Sequence, residues 1–256
     1  MTTIQSIFLG LVEGLTEFLP ISSTGHLILV GKLLHVPTGE FVKSFEIIIQ
    51  LGAILAVVVL YWQRIWGRWS IWFKIITAFI PTAILGLLFY SFIKRFLLGN
   101  EVVVLWALGL GGLAILLFEK FFKEKTTALD DLDSITYQQA VGIGLFQSLA
   151  MVPGVSRSAA TIIGGLILGL KRKTIVEFSF LLAVPTMLAA SGLDLLKSGL
   201  DFSRGEWILL ILGFCTAFLS ALAVIKIFLS FVQKRSFQVF GWYRLVLAWL
   251  FWMFRI

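Results

Sequence analysis

This chain has little charge for its length: 14% of its 256 residues are Asp, Glu, Lys or Arg, against 59% apolar. Soluble domains average about a quarter charged, so a water-facing surface all round is excluded. Cysteine is reduced to Cys215, which excludes a disulfide framework and, set in an apolar run, reads as a packing residue. Histidine is almost as scarce, with only His26 and His35. The start MTTIQSIFLG lacks a basic n-region, and its apolar run leads into polar motif, so no cleavable signal is expected. What is abundant is apolar surface: mean hydropathy is +0.99, and nine Trp with 24 Phe suit lipid contact and interfacial belts. A net charge of +7 would also suit nucleic acid, but Lys and Arg stand in short clusters between apolar runs, as in cytoplasmic membrane loops. No nucleic-acid partner is expected; the bilayer is.

A helix needs about 20 apolar residues to span a bilayer. Six segments qualify: Phe45–Trp62, Ile75–Ile93, Val102–Phe118, Ile175–Leu196, Trp207–Phe231 and Val239–Phe254. Two more, 4–31 and 137–170, are apolar but interrupted at Pro20 and at Pro153-Gly154, and each reads as a helix that enters, breaks and returns to the same side. Broken backbone at membrane depth is tolerated only when buried in protein or lining a cavity. The expected fold is therefore all-α and polytopic, with six transmembrane helices and two broken re-entrant pairs.

The halves resemble each other. Gly10-Leu11-Val12-Glu13 matches Gly144-Leu145-Phe146-Gln147; after a one-residue slip Pro20 matches Pro153, Ser23 matches Ser156 and Phe45 matches Phe178. Each half is a broken pair followed by three spans, and three is odd, so the second half starts on the opposite side. That is an inverted repeat, the plan that builds sites near the midplane from discontinuous helices. The expected organisation is one membrane domain, 1–256, with halves about 1–125 and 135–256. Arg64, Arg68, Lys74, Lys120, Lys123, Lys125, Lys171 to Lys173, Lys234 and Arg235 share one side. The other side holds fewer: Lys32, Lys43, Lys94, Arg95, Lys197, Arg204 and Arg255. The positive-inside rule puts the first group in the cytoplasm and both termini outside.

Ionisable residues at membrane depth are expensive and mark functional sites by default. Glu13 and Glu17 are four apart and share one helix face. Two buried carboxylates need a cation or a donor, so they could hold a divalent metal, or one could serve as base. After Pro20, the run Ser22-Ser23-Thr24-Gly25-His26 could cap a new helix and offer donors to an anion. Ser23 and His26, three apart, suit an activated nucleophile with Glu17 as orienting carboxylate. His35 has no such company and reads as a surface residue. In the second break, Ser156-Arg157-Ser158 surrounds a guanidinium that must meet a carboxylate, Glu13 or Glu17, or an anionic ligand. Glu46, Gln50 and Glu177 read as rim or packing positions; Asp194 and Arg244 lie in apolar runs with no motif around them.

The stretch Glu13-x-x-x-Glu17-x-x-Pro20-x-Ser22-Ser23-Thr24-Gly25-His26, followed by Pro153-Gly154-x-Ser156-Arg157-Ser158-x-x-Thr161, resembles the undecaprenyl-diphosphatase family. The resemblance covers essentially the whole chain. It implies a bacterial cytoplasmic-membrane enzyme that hydrolyses undecaprenyl diphosphate to the monophosphate and phosphate. That reaction recycles the carrier lipid of peptidoglycan synthesis and confers bacitracin resistance. It also implies a divalent cation, Mg or Ca. On this reading Glu17, Ser23, His26 and Arg157 are catalytic. Ser22, Thr24, Gly154, Ser156, Ser158 and Thr161 bind substrate, and Glu13 with Glu17 binds metal. Ser23 as nucleophile, with His26 and Glu17 managing protons, is favoured over His26 as nucleophile, and both suit the spacing. Lipid phosphatases of the acid-phosphatase type are excluded, because they need a second His after the Arg and both histidines here precede Arg157. The alternative from another class is a polyprenyl-phosphate or anion transporter, which would also use an inverted repeat. Self-association is allowed by the sequence but not read from it.

Overall fold

A computed structural model describes residues 1–97, 100–124, 128–198 and 202–254. Lys125 and Arg255 of the orientation argument lie outside the described residues, as do the side chains of Lys94, Asp194 and Lys197. The described chain is all-helical, without a β-sheet. In order come α1 (Thr3–Thr16), α2 (Ser23–Leu33), α3 (Glu40–Ile65), α4 (Trp69–Leu88), α5 (Tyr90–Phe92) and α6 (Glu101–Phe121). The second half follows with α7 (Tyr137–Ser148), α8 (Arg157–Ile167), α9 (Arg172–Ser198), α10 (Arg204–Val232) and α11 (Gln238–Phe254).

Five helices, α3, α4, α6, α9 and α10, are long and apolar enough to cross a membrane. The protein is a multi-pass membrane protein. The sixth expected span, α11, is 17 residues long and packs along α6; at 1.5 Å per residue it reaches about 26 Å. The second expected span ran on to Ile93, but α4 ends at Leu88, and the chain continues through α5 into a π-helical turn, Ile93–Leu97. Apolarity alone could not place that end. Trp66 and Trp69 stand exposed at the α3–α4 turn beside Arg64 and Arg68, the composition of a membrane–water interface.

Both interrupted segments are hairpins of short helices built by the same local devices. Thr2 and Gln5 form a capping box at the start of α1, and Thr136 and Gln139 form one at the start of α7. Each glutamine also ties its hairpin's legs: Gln5 Nε2 donates to the Leu34 carbonyl at 2.8 Å, and Gln139 Nε2 to the Leu168 carbonyl at 2.9 Å. The returning helices α2 and α8 start at Ser22 and Ser156, which have φ of 71° and 76°. Those caps are 134 apart (156 − 22), so the expected match of Ser23 to Ser156 gives way to Ser22 with Ser156. Ser23 then stands where Arg157 does. The slip arises because Gly154-Val155 separates Pro153 from its cap, whereas Ile21 alone separates Pro20 from its own.

The hairpins pack crosswise. α1 lies along α10 and α7 along α4, with glycine allowing backbone contact: the Gly213 carbonyl occupies the space a Cβ on Gly10 would need, and the Ala78 carbonyl does so at Gly144. α9 is the most enclosed span, and it brings Phe180 against Phe18, ring centroids 5.1 Å apart, as an apolar floor between the two breaks.

Candidate active site

α1 ends at Thr16, and Glu17 closes it by giving its N–H to the Glu13 carbonyl at 2.9 Å. The chain then turns through Pro20 to Ser22, whose left-handed backbone redirects it into α2. This turn aims Glu17 at the first residue of α2: the Ser23 hydroxyl donates to Glu17 Oε2 at 2.5 Å. The other oxygen, Oε1, accepts from Arg157 Nη2 at 3.0 Å. Arg157, the first residue of α8, also gives Nη1 to the Ser179 carbonyl at 2.8 Å, and its guanidinium lies 5.9 Å from the centre of the Phe18 ring. A carboxylate, a hydroxyl and a guanidinium from both breaks thus meet in one buried network.

The expected Ser23–His26–Glu17 relay is drawn differently. His26 Nδ1 bonds the Ser22 carbonyl at 2.7 Å, and Nε2 bonds the Tyr243 hydroxyl at 2.7 Å. Helical geometry explains this: Nδ1 reaches the carbonyl four residues back, and Nε2 is taken up by α11. Ser23 is therefore linked directly to a carboxylate, and the imidazole belongs to a neighbouring arm of the site.

The remaining expected residues divide by burial. Ser22 and Ser156 are the helix caps, accepting from the amides of Gly25 and Ala159. Thr24 is exposed at the start of α2. Ser158 and Thr161, expected to bind substrate, are fully buried. Ser158 donates to the Phe18 carbonyl at 2.8 Å, which ties the two breaks together, and the Thr161 hydroxyl lies 2.6 Å from that of Ser179. Those hydroxyls brace the scaffold and do not face open space. Gly154 has φ +94°, and the Val104 carbonyl lies 2.7 Å from where its Cβ would be, so only glycine fits. His35 is exposed, as expected. Glu177 pairs with Arg64 at 3.0 Å, away from the network. Glu46, read as rim or packing, stands within electrostatic reach of Glu13.

Three participants carried no motif. Ser179 and Tyr243 look like ordinary residues of apolar helices. Arg244 was visible only as a charge without a partner in its span. It is fully buried and spends all five donors on carbonyls: Pro20 from the first break, Gly154 and Val155 from the second, and Ala107 and Leu108 from α6, at 2.8–3.3 Å. It holds the two turns in register.

The donor set can be tested against a divalent cation. Both carboxylate oxygens of Glu13 are buried without a hydrogen-bond partner among the described residues, beside the charges of Glu17 and Glu46. Bare hard oxygens at depth are what Mg²⁺ or Ca²⁺ takes. No cluster of three or more His, Cys, Asp or Glu able to hold a metal occurs among the described residues. A cation here would therefore have to be held by one or two carboxylates and completed by water and phosphate, as Mg²⁺ commonly is. The residues fit.

A family model described as bacitracin resistance protein BacA matches residues 6–250. The chain belongs to this family. Among curated members, the undecaprenyl-diphosphatase of Aquifex aeolicus is 54% identical over 248 residues, covering 97% of this chain and 96% of that protein. The undecaprenyl-diphosphatase of Persephonella marina is 52% identical over 254 residues, 99% of each. That of a Sulfurihydrogenibium species is 51% identical over 253 residues. The BacA match spans both breaks, so the network of Glu17, Ser23 and Arg157 lies wholly inside it.

Proposed function

We infer that this BacA-family chain is a membrane phosphatase that hydrolyses undecaprenyl diphosphate to undecaprenyl phosphate and inorganic phosphate. The observation that carries the mechanism is Glu17, which accepts from the Ser23 hydroxyl on one oxygen and from Arg157 on the other. A carboxylate at 2.5 Å from a hydroxyl can take its proton, and the guanidinium beside it grips phosphate oxygens. Arg157 Nε, buried and without a partner among the described residues, is a further donor for an anion.

The substrate's diphosphate sits between the two breaks with its prenyl tail in the bilayer. Ser23 Oγ attacks the terminal phosphorus as its proton passes to Glu17. The bridging P–O bond breaks, and undecaprenyl phosphate leaves with the electron pair. Water then displaces Ser23 from phosphorus, Glu17 returns the proton to the serine oxygen, and phosphate departs. Arg157 and the amides behind the Ser22 and Ser156 caps stabilise charge on the transferring group. Glu13, with Glu17, would hold the divalent cation, which supplies Lewis-acid stabilisation of the phosphoryl oxygens. His26 as nucleophile is the weaker route, since its Nε2 is already engaged by Tyr243 in the resting site; its imidazole instead takes the proton that the attacking water gives up and passes it to solvent, while Glu17 returns its own proton to Ser23.

The halves about 1–125 and 135–256 form one inverted-repeat domain in the bacterial cytoplasmic membrane, both termini outside. There it recycles the carrier lipid for peptidoglycan synthesis and gives bacitracin resistance. A transporter would need the anion site but has no use for a carboxylate poised on a serine hydroxyl. Phosphate release from polyprenyl diphosphate by protein purified in detergent tests the reading. Ser23→Ala is expected to lower single-turnover release by at least about a hundredfold. If Ser23→Ala keeps most of its turnover, the His26 route replaces this one; no release by the unaltered protein would overturn the phosphatase.

A further inference from the structure

The His26 imidazole is held at both nitrogens. A carbonyl oxygen only accepts, so the 2.7 Å contact to the Ser22 carbonyl puts the hydrogen on Nδ1. A neutral ring then has one lone pair, at Nε2, and the Tyr243 hydroxyl donates into it from 2.7 Å. The two ring planes lie within 3° of parallel, with centroids 5.5 Å apart. The rings are thus parallel and offset, with the hydroxyl reaching Nε2 between them. Ser23, three residues earlier on the same helix, gives its hydroxyl to Glu17. What fixes the reactive nitrogen of His26 is therefore a residue of α11, 217 positions away.

The arrangement exists once. At the 134-residue offset of the two caps, the place of His26 in the second hairpin falls to Ala160. Tyr243 also directly precedes Arg244, the residue that clasps both breaks, so its backbone is anchored at the site. The phenol ring is half-exposed at 43%, whereas His26 is buried. Most of the ring's surface could be lost to another aromatic without altering the core; its hydroxyl could not.

We propose that Tyr243 is a positioning residue for the phosphatase reaction, acting through His26. Its hydroxyl fixes the plane of the imidazole and keeps the single lone pair, at Nε2, directed towards α11 in the resting site. Ser22 sets which nitrogen bears hydrogen; Tyr243 sets where the other one points. The proposal rests on the phosphatase reading for its catalytic consequence, but the positioning itself can be observed in the resting protein.

Two measurements test it. With only two histidines in the chain, a His35→Gln background leaves one imidazole for nitrogen NMR in detergent. Tyr243→Phe is expected to move the Nε2 resonance while Nδ1 stays protonated; unchanged resonances would overturn the positioning. In the phosphate-release assay, Tyr243→Phe is expected to lower kcat about tenfold, roughly the worth of one hydrogen bond, with KM within twofold. In a His26→Ala background the same change should cost nothing further. Equal losses in both backgrounds, or full kcat in Tyr243→Phe, would overturn action through His26. Absence of phosphate release by the unaltered protein would instead fail the phosphatase reading and leave the NMR result standing.

Discussion

Glu13 is the residue whose environment is least satisfied. Its side chain is 1% exposed and both oxygens lack partners among the described residues, so ionising it without a cation would cost several kcal/mol. Glu13→Gln keeps the shape and removes the charge. In chelator, Glu13→Gln is expected to unfold within about 2 °C of the unaltered protein, since a buried carboxyl that gives up its charge without a cation and an amide of the same shape cost alike. Millimolar Mg²⁺ should stabilise the unaltered protein and leave Glu13→Gln unmoved, while phosphate release by the variant falls by at least about a hundredfold. Equal Mg²⁺ stabilisation of both proteins would remove Glu13 from the cation site. That Glu17 and Arg157 meet was legible in the sequence as one of the alternatives, because charged residues that interrupt apolar runs need a partner. Tyr243 was not legible: tyrosine is common in membrane helices, and only the fold brings it to His26. Nor were the partners of Ser158 and Thr161, the Phe18 carbonyl and the Ser179 hydroxyl, since a hydroxyl in a motif looks the same whether it faces a ligand or the protein.

At the scale of elements, helix contacts depend on glycines placed where backbones touch. A Cβ on Gly14 would collide with the Ser220 hydroxyl and the Ala217 carbonyl of α10, whereas one on Gly31 meets nothing within 4 Å. Gly14→Ala is therefore expected to destabilise by about 1–3 kcal/mol through overpacking. Gly31→Ala, in the interior of α2, should stabilise by up to about 1 kcal/mol. Denaturant unfolding in mixed micelles, followed by tryptophan fluorescence, compares them; equal shifts would mean α1 and α10 are not in backbone contact. The breaks were readable from Pro20 and Pro153-Gly154, but their register was not. Pro20 and Pro153 mark where the first legs stop, although Pro81 and Pro185 lie inside α4 and α9; the start of each returning helix is set by a serine in a left-handed conformation, which leaves no strong trace in composition.

For the whole molecule, the orientation rests on basic residues gathered at one end. Arg68 and Asp133 pair at 3.3 Å, and Lys171 pairs with Asp130 at 2.9 Å and holds that carboxyl below its usual range. These loops should face the cytoplasm. In a Cys215→Ser background, Arg68→Cys is expected to resist a membrane-impermeant thiol reagent in intact cells and to react once they are opened. Labelling from outside would invert the arrangement. That the chain crosses the membrane several times could be read from hydropathy, although six spans were expected and five helices are long enough; the crosswise packing of the hairpins could not, because it depends on which faces meet. That packing has a consequence for biogenesis. α1 is synthesised first, yet the Ser6 hydroxyl ends on the Leu209 carbonyl, 203 residues later, and both turns wait for Arg244 in the last helix. A ribosome adds about 5–20 residues per second, so the first hairpin spends tens of seconds in the lipid without its partner. During that interval its polar turn lacks the Arg244 guanidinium, and the candidate site is complete only once α11 has been made.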